Sequence, residues 1–239
     1  MLGRFHEVSV HTQDIRASVE FYERLGFTQA TTGDTWPHLY GVLTDGRITI
    51  GLHQYPIASP TITFVKPGIA AQMTALGALG IEPAFARLGD DCFNELGFRD
   101  PAGQMVRILE ARTYSPPDRG RDQPSLCGDF SEFSIPASDF DAAREFWERL
   151  GFVALEESAT PYPHVPLTSD HLNLAFHRPR TLDRPMLVFR DHGAEQRIAR
   201  LRDLELPFAA ELPRGLDPSA AALLESPEGT PLLLLSNGD

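Results

Sequence analysis

The chain has 239 residues, enough for one large domain or two of roughly 120, each able to bury its own apolar core. With 42% hydrophobic and 23% charged residues it has the composition of a globular protein, neither disordered nor fibrous. A net charge of −12 and the lack of any basic stripe argue against nucleic acid and anionic membranes as partners.

The opening MLGRFHEVSV is polar and amphipathic, and no apolar run approaches the ~18 residues that span a bilayer, so a soluble, unexported protein is expected. Cys92 and Cys127 have no metal-site spacing and suggest no disulfide framework, which points to the cytoplasm. Cys92, in DDCFNE, lacks a recognisable base and reads as an inert core thiol. A single lysine among many arginines hints at a bacterial source.

VSV (8–10) is a short β-like stretch, after which Asp14 caps a helix that buries Phe21 and Leu25 and stops at Gly26. HLYGVL and RITIGLH follow as strands, then TITFV, a helix over IAAQMTALGALG, a strand in IEPAFARL, and the turn and strand of DPAGQMVRILEA. From residue 128 the pattern returns. FSI precedes a helix capped at Ser138 that buries Phe146 and Leu150 and stops at Gly151; then come HVPLT, LNLAFH, MLVFR, a helix over EQRIARLRDL, a strand in LPFAAEL, and SPEGTPLLLLS. Glu20 with Arg24, and Glu145 with Arg149, are expected as outward i,i+4 pairs. Gly103 and Gly229 fall where the last turn of each copy needs a positive φ.

Aligning Asp14 with Asp139, nine of fourteen positions agree and both runs end in ERLGF, which marks an internal duplication. The expected division is a first domain over 1–112, a Pro- and Gly-rich linker over 113–127, and a second domain over 128–239. Each domain contains two βαβββ units, four in all, so the fold class is α+β.

DIRASVEFYERLGF and DFDAAREFWERLGF, with RDPAGQ and SPEGT, resemble the vicinal oxygen chelate superfamily of glyoxalases, extradiol dioxygenases and bleomycin-resistance proteins. The resemblance implies two glyoxalase-like domains with curved, cup-shaped mixed sheets. It further implies a ligand on the concave face and, in metal-using members, a divalent ion. The metal-ligand positions that the resemblance implies hold Glu7, Gly51, Thr61 and Arg107 in the first copy, and Glu132, Ala175, Met186 and Leu233 in the second. An arginine among apolar and hydroxyl side chains is a poor donor set for a hard cation, so no metal or other cofactor is expected.

Strand alternation sends Glu7, Ser9 and His11 into the first cup and leaves His6 on the helix side with Val8. Glu132 and Ser134 face the second cup, and His53 and His177 face theirs two residues beyond a vacated ligand position. These residues and Arg107 form the expected ligand-binding set. Glu7 is expected to face Arg107, and is read either as half of a structural salt bridge or as the group orienting Arg107 toward an anionic ligand. Glu132, in apolar surroundings, should have a raised pKa; Glu7 and Glu132 are the catalytic candidates. PHLY and PHVP place His38 and His164 at matching points, with their facing open.

The leading expectation is a metal-independent binder of a small organic molecule in one or both cups, existing as a monomer or homodimer. Two alternatives stand beside it. One is a metal-dependent lyase, isomerase or dioxygenase using a set such as Glu7, His11 and His53. The other is a degenerate duplicate with one cup filled by side chains.

Overall fold

A computed structural model of the chain describes residues 1–31, 36–111 and 125–236. The first unit is β1 (Arg4–His11), α1 (Ile15–Arg24), β2 (Thr28–Gln29), β3 (Tyr40–Thr44) and β4 (Thr49–His53). The second is β5 (Thr61–Lys66), α2 (Ile69–Ala78), β6 (Phe85–Arg87), β7 (Glu95–Arg99) and β8 (Met105–Glu110). The third runs β9 (Asp129–Pro136), α3 (Phe140–Arg149), β10 (Val153–Ala154), β11 (His164–Thr168) and β12 (Leu174–His177). The fourth is β13 (Met186–Asp191), α4 (Ala194–Asp203), β14 (Ala221–Glu225) and β15 (Pro231–Ser236), with an isolated Phe208–Leu224 bridge in place of an edge strand.

The units join into two open mixed sheets, ordered β2-β3-β4-β1-β5-β8-β7-β6 and β10-β11-β12-β9-β13-β15-β14. The fold is therefore α+β with four related units, as expected. The regions IEPAFARL and LPFAAEL contribute less strand than expected, and β7 and β14, absent from the sequence reading, complete the two sheets. Most of the expected 113–127 linker lies outside the described residues. At its end the Leu126 amide donates to the Leu25 carbonyl and Cys127 is buried in the core.

Alternation along each strand sorts the two faces. On β8, Val106 and Ile108 enter the core beneath the helices, whereas Met105 and Arg107 face the cup. The core is shared between the copies: Phe27 meets Phe189 edge-to-face at 6.4 Å, and one apolar cluster takes side chains from both. Polar contacts cross in a matched exchange. Tyr22 and Ser18 on α1 donate to Glu228, in the β14–β15 turn, and Trp147 on α3 donates to Asp100, before the β7–β8 turn.

The expected outward pairs are replaced by the same exchange. Arg24 reaches the carbonyl of Leu204, the C-cap of α4, and Arg149 reaches that of Leu79, the C-cap of α2. A guanidinium there meets carbonyls left over at the negative end of a helix, a better partner than an exposed glutamate. The third helix is capped by the Asp139 side chain, one residue beyond the expected Ser138. Gly103 and Gly229 have φ of 88° and 83° in their turns.

Candidate functional site

The centre of the first cup is a buried carboxylate. Glu7 is 1% exposed, and its Oε1 accepts from Ser9 Oγ at 2.6 Å and from His53 Nε2 at 2.9 Å. Its Oε2 accepts from the Tyr40 hydroxyl at 2.5 Å. Burial alone would raise this acid, but the His53 hydrogen bond, the adjoining His6 and His53 rings and the Ser9 hydroxyl outweigh it and hold the pKa at about 2. Ser9 also touches Thr63 Oγ1 at 2.7 Å, so the network reaches β5.

His53 continues the chain outward. A carboxylate only accepts, so His53 Nε2 carries the hydrogen; a neutral His53 then presents a lone pair at Nδ1, 3.0 Å from His38 Nε2. His38 Nδ1 and Trp36 Nε1 are both buried without a hydrogen-bond partner among the described residues. Burial, with the neighbouring His53 and Arg107 charges, lowers the pKa of His38.

Above this network lies a cavity of about 570 Å³. Its walls include Trp36, Phe85, Phe93 and Met105, and its charged groups are Arg87, Arg107 and Glu95. Arg107 is 9% exposed and lies 4.7 Å from the Trp36 ring centre. It does not meet Glu7 as expected: its Nε donates to Glu95 Oε2 at 2.8 Å, and its Nη2 to the same oxygen at 2.5 Å. Arg87 stands 3.5 Å from the other Glu95 oxygen. Two guanidinium groups against one carboxylate leave this wall with one net positive charge.

Three further placements differ from expectation. A bulge between Phe5 and Glu7 breaks the alternation of β1, so His6 lies 3.8 Å from the Glu7 carboxylate instead of across the sheet. His11 is drawn away from the cup centre, where its Nδ1 meets the Tyr55 carbonyl at 2.9 Å and steadies the cavity wall around Tyr55. Cys92 is exposed and free, not a core thiol.

The second cup holds the matching residues in a different arrangement. Ser134 Oγ meets His177 Nδ1 at 2.7 Å, but His177 Nε2 turns to the Leu182 carbonyl at 2.9 Å, and Glu132 Oε1 is buried without a partner among the described residues. Burial raises Glu132 to about 7 against a smaller opposing effect of Arg190, and lowers His177 to about 4. Met186, Val188, Leu223, Leu233 and Tyr162 form a closed apolar cluster on this face, covered by Leu182, Leu212 and Leu216 from the connecting loops. One cup is open and the other is filled.

The strand registers also realign the histidines. Tyr40 pairs with His53, and His164 pairs with His177, so His164 corresponds to Tyr40 and Tyr162 to His38. Sequence reasoning missed Trp36, Tyr40 and Glu95. Tyr40 was legible from its place in HLYGVL, whereas Glu95 lies on a strand that showed no clear period.

The metal-ligand positions implied by the resemblance do not fit a metal. In the first cup Glu7 already accepts three hydrogen bonds, residue 51 has no side chain, and Arg107 is a cation; in the second, Met186 and Leu233 are apolar side chains buried in the cluster. Among the described residues no three His, Cys, Asp or Glu side chains gather as a metal-ligand set. Among the described residues no helix is long and apolar enough to cross a membrane.

This paired βαβββ architecture is similar to the fold of solved extradiol dioxygenases. A variant of homoprotocatechuate 2,3-dioxygenase from Brevibacterium fuscum is 16% identical, with a TM-score of 0.64 over 98% of this chain and 71% of that one. The 2,3-dioxygenase LapB from Pseudomonas sp. KL28 is 14% identical, with a TM-score of 0.63 over 100% and 94%. A catechol 2,3-dioxygenase is 14% identical, with a TM-score of 0.62 over 99% and 88%. No family model and no curated protein matches the sequence. Likeness at this identity establishes the fold, and the side chains in the cups decide the chemistry.

Proposed function

We propose that the protein is a metal-independent receptor for a small, largely apolar organic anion, held in the first cup alone. The observation that carries this reading is the contrast between the two cups: an aromatic-walled cavity of about 570 Å³ in the first, and a packed apolar cluster in the second. The ligand's flat apolar part stacks among Trp36, Phe85 and Phe93, and its anionic group lies toward Arg107 and Arg87. Trp36 Nε1 donates a hydrogen bond to an acceptor on the ligand, and His38 Nδ1 accepts one from a donor on it. Glu7 serves the site from beneath by fixing Tyr40 and His53. The second domain acts as the scaffold, and the organisation is 1–112 and 128–239 joined by 113–127, in a cytoplasmic protein.

The test is a titration with 1-naphthoate followed through tryptophan fluorescence, which Trp36 reports from the cavity and Trp147 does not because it is buried in the core. Quenching that saturates, that disappears in Trp36→Phe and that weakens about tenfold in Arg107→Gln is the expected result. Metal analysis of protein purified without chelator accompanies it. Stoichiometric, tightly held iron, manganese, nickel or zinc would overturn metal independence in favour of the dioxygenase-type reading.

A further inference from the structure

The chain Glu7–His53–His38 does more than a binding site requires. A receptor wall needs polar atoms that match its ligand; it does not need a buried carboxylate linked through two imidazoles to an unpartnered ring nitrogen. Each link is at hydrogen-bond distance, 2.9 Å from Glu7 Oε1 to His53 Nε2 and 3.0 Å from His53 Nδ1 to His38 Nε2. With both rings neutral, the carboxylate fixes every proton in turn: Nε2–H on His53, then Nε2–H on His38, and a lone pair at His38 Nδ1. The His38 ring is held by stacking on Tyr55, 5.0 Å between centres and 17° from parallel, and it lines the cavity.

We propose that Glu7, His53 and His38 form a proton relay in which His38 Nδ1 is a general base toward the molecule bound in the first cup, so that the protein catalyses a cofactor-free proton transfer. This rests on the reading of the first cup as a ligand site. The reaction class is isomerisation of an aryl carbonyl compound. His38 Nδ1 takes a proton from the carbon beside the carbonyl, and the C–H electron pair becomes the C=C bond of an enolate. The carbonyl π pair moves to oxygen, where the cationic Arg107 wall stabilises it, and the imidazolium returns the proton to carbon or oxygen. Atoms and electrons balance without a co-reactant. His38 is the catalytic residue, while His53 positions it by fixing its tautomer and the Glu7 carboxylate behind them favours its charged form.

The charged and titratable groups around His38 are His53 on β4, with Glu7 of β1 behind it; Arg107 on β8, with Glu95 of β7 behind it; and Tyr55 in the loop after β4. Burial, His53 and Arg107 all oppose protonation of His38, and an anionic ligand group that neutralises Arg107 makes the base stronger, which couples binding to proton transfer.

The probe is 5-nitrobenzisoxazole, an aromatic substrate whose ring opens when a base removes the C3 proton. The C–H pair forms the nitrile, the N–O bond breaks, and coloured 2-cyano-4-nitrophenolate leaves. The wild-type protein is expected to accelerate this opening, and His38→Asn, at a half-buried position, to lose about a hundredfold of it. Glu7→Gln, which removes the anion behind the two rings, is expected to move the midpoint of the pH–rate profile downward, a shift that a merely structural role would not produce. 1-Naphthoate binding is measured on the same proteins. If naphthoate binds but wild type and His38→Asn open the probe equally, the relay is overturned and the receptor reading stands; if naphthoate does not bind, both fall.

Discussion

Gly51 and the Glu7 carboxylate share one space: a Cβ on residue 51 would lie 2.1 Å from the Glu7 side-chain oxygen, closer than any real contact. Ser9 pairs with Gly51 in the first sheet and Ser134 with Ala175 in the second, so the duplicated position carries a methyl group in the filled cup. Glu7 lies across residue 51 to reach His53, whereas residue 175 carries a Cβ and Glu132 Oε1 has no hydrogen-bond partner among the described residues.

Gly51→Ala should therefore displace the Glu7 carboxylate and break its bonds to His53 and Tyr40. Stranding a buried carboxylate costs on the order of 3 kcal/mol or more. Urea denaturation of the variant measures the loss, and an unchanged midpoint would show that Glu7 has another way to be satisfied.

The two glutamates set opposite pH dependences. Burial raises Glu132 to about 7, so between pH 4.5 and 7 the folded chain keeps a proton that an unfolded glutamate, near 4.5, has lost. Its contribution to stability falls across that window by on the order of 3 kcal/mol and is level above it. Glu7, held at about 2, contributes stability that is complete above pH 4.5 and is lost as the pH falls toward 2. Glu132→Gln should flatten the profile from pH 4.5 to 7 and leave the acid limb intact, as read by denaturation at a series of pH values. Parallel profiles for wild type and variant would contradict the buried, unpartnered state of Glu132.

Arg107 and Glu95 should be coupled. Arg107→Met leaves Glu95, 8% exposed, with only the longer contact to Arg87 among the described residues, at an expected loss of about 3 kcal/mol. The double variant Arg107→Met with Glu95→Leu should recover at least half of that loss. A double-mutant cycle with no coupling energy would mean that the two groups are solvated independently.

Truncation in the second cup should affect folding alone. Leu233→Ala opens a void in a closed apolar cluster and is expected to cost about 2–5 kcal/mol, without changing the naphthoate titration of the first cup. A large fall in naphthoate affinity would place a ligand in the second cup as well.

Much of this arrangement was legible in the sequence. The duplicated helix and the Asp14 cap of its first copy, the inward facing of Glu7, Ser9 and His53, and the raised pKa of Glu132 follow from alternation and anchored spacing. Three features were not. A one-residue bulge, shared by β1 and β9, moves His6 to the side of Glu7, and no local composition marks it. Arg107 takes Glu95 as its partner because β7 pairs beside β8, a long-range choice that the short ELGFR segment does not announce. The filling of the second cup depends on Leu182, Leu212 and Leu216 in loops, where hydrophobic periodicity carries no information about facing.

The most direct test of the one-cup account is a crystal structure of protein purified without chelator and soaked with 1-naphthoate. The expected density is a flat ring system against Trp36 with its carboxylate toward Arg107, a dry apolar second cup, and Glu7 still bonded to His53. A metal ion bound by Glu7, or naphthoate seated among Met186, Val188 and Leu233, would contradict it.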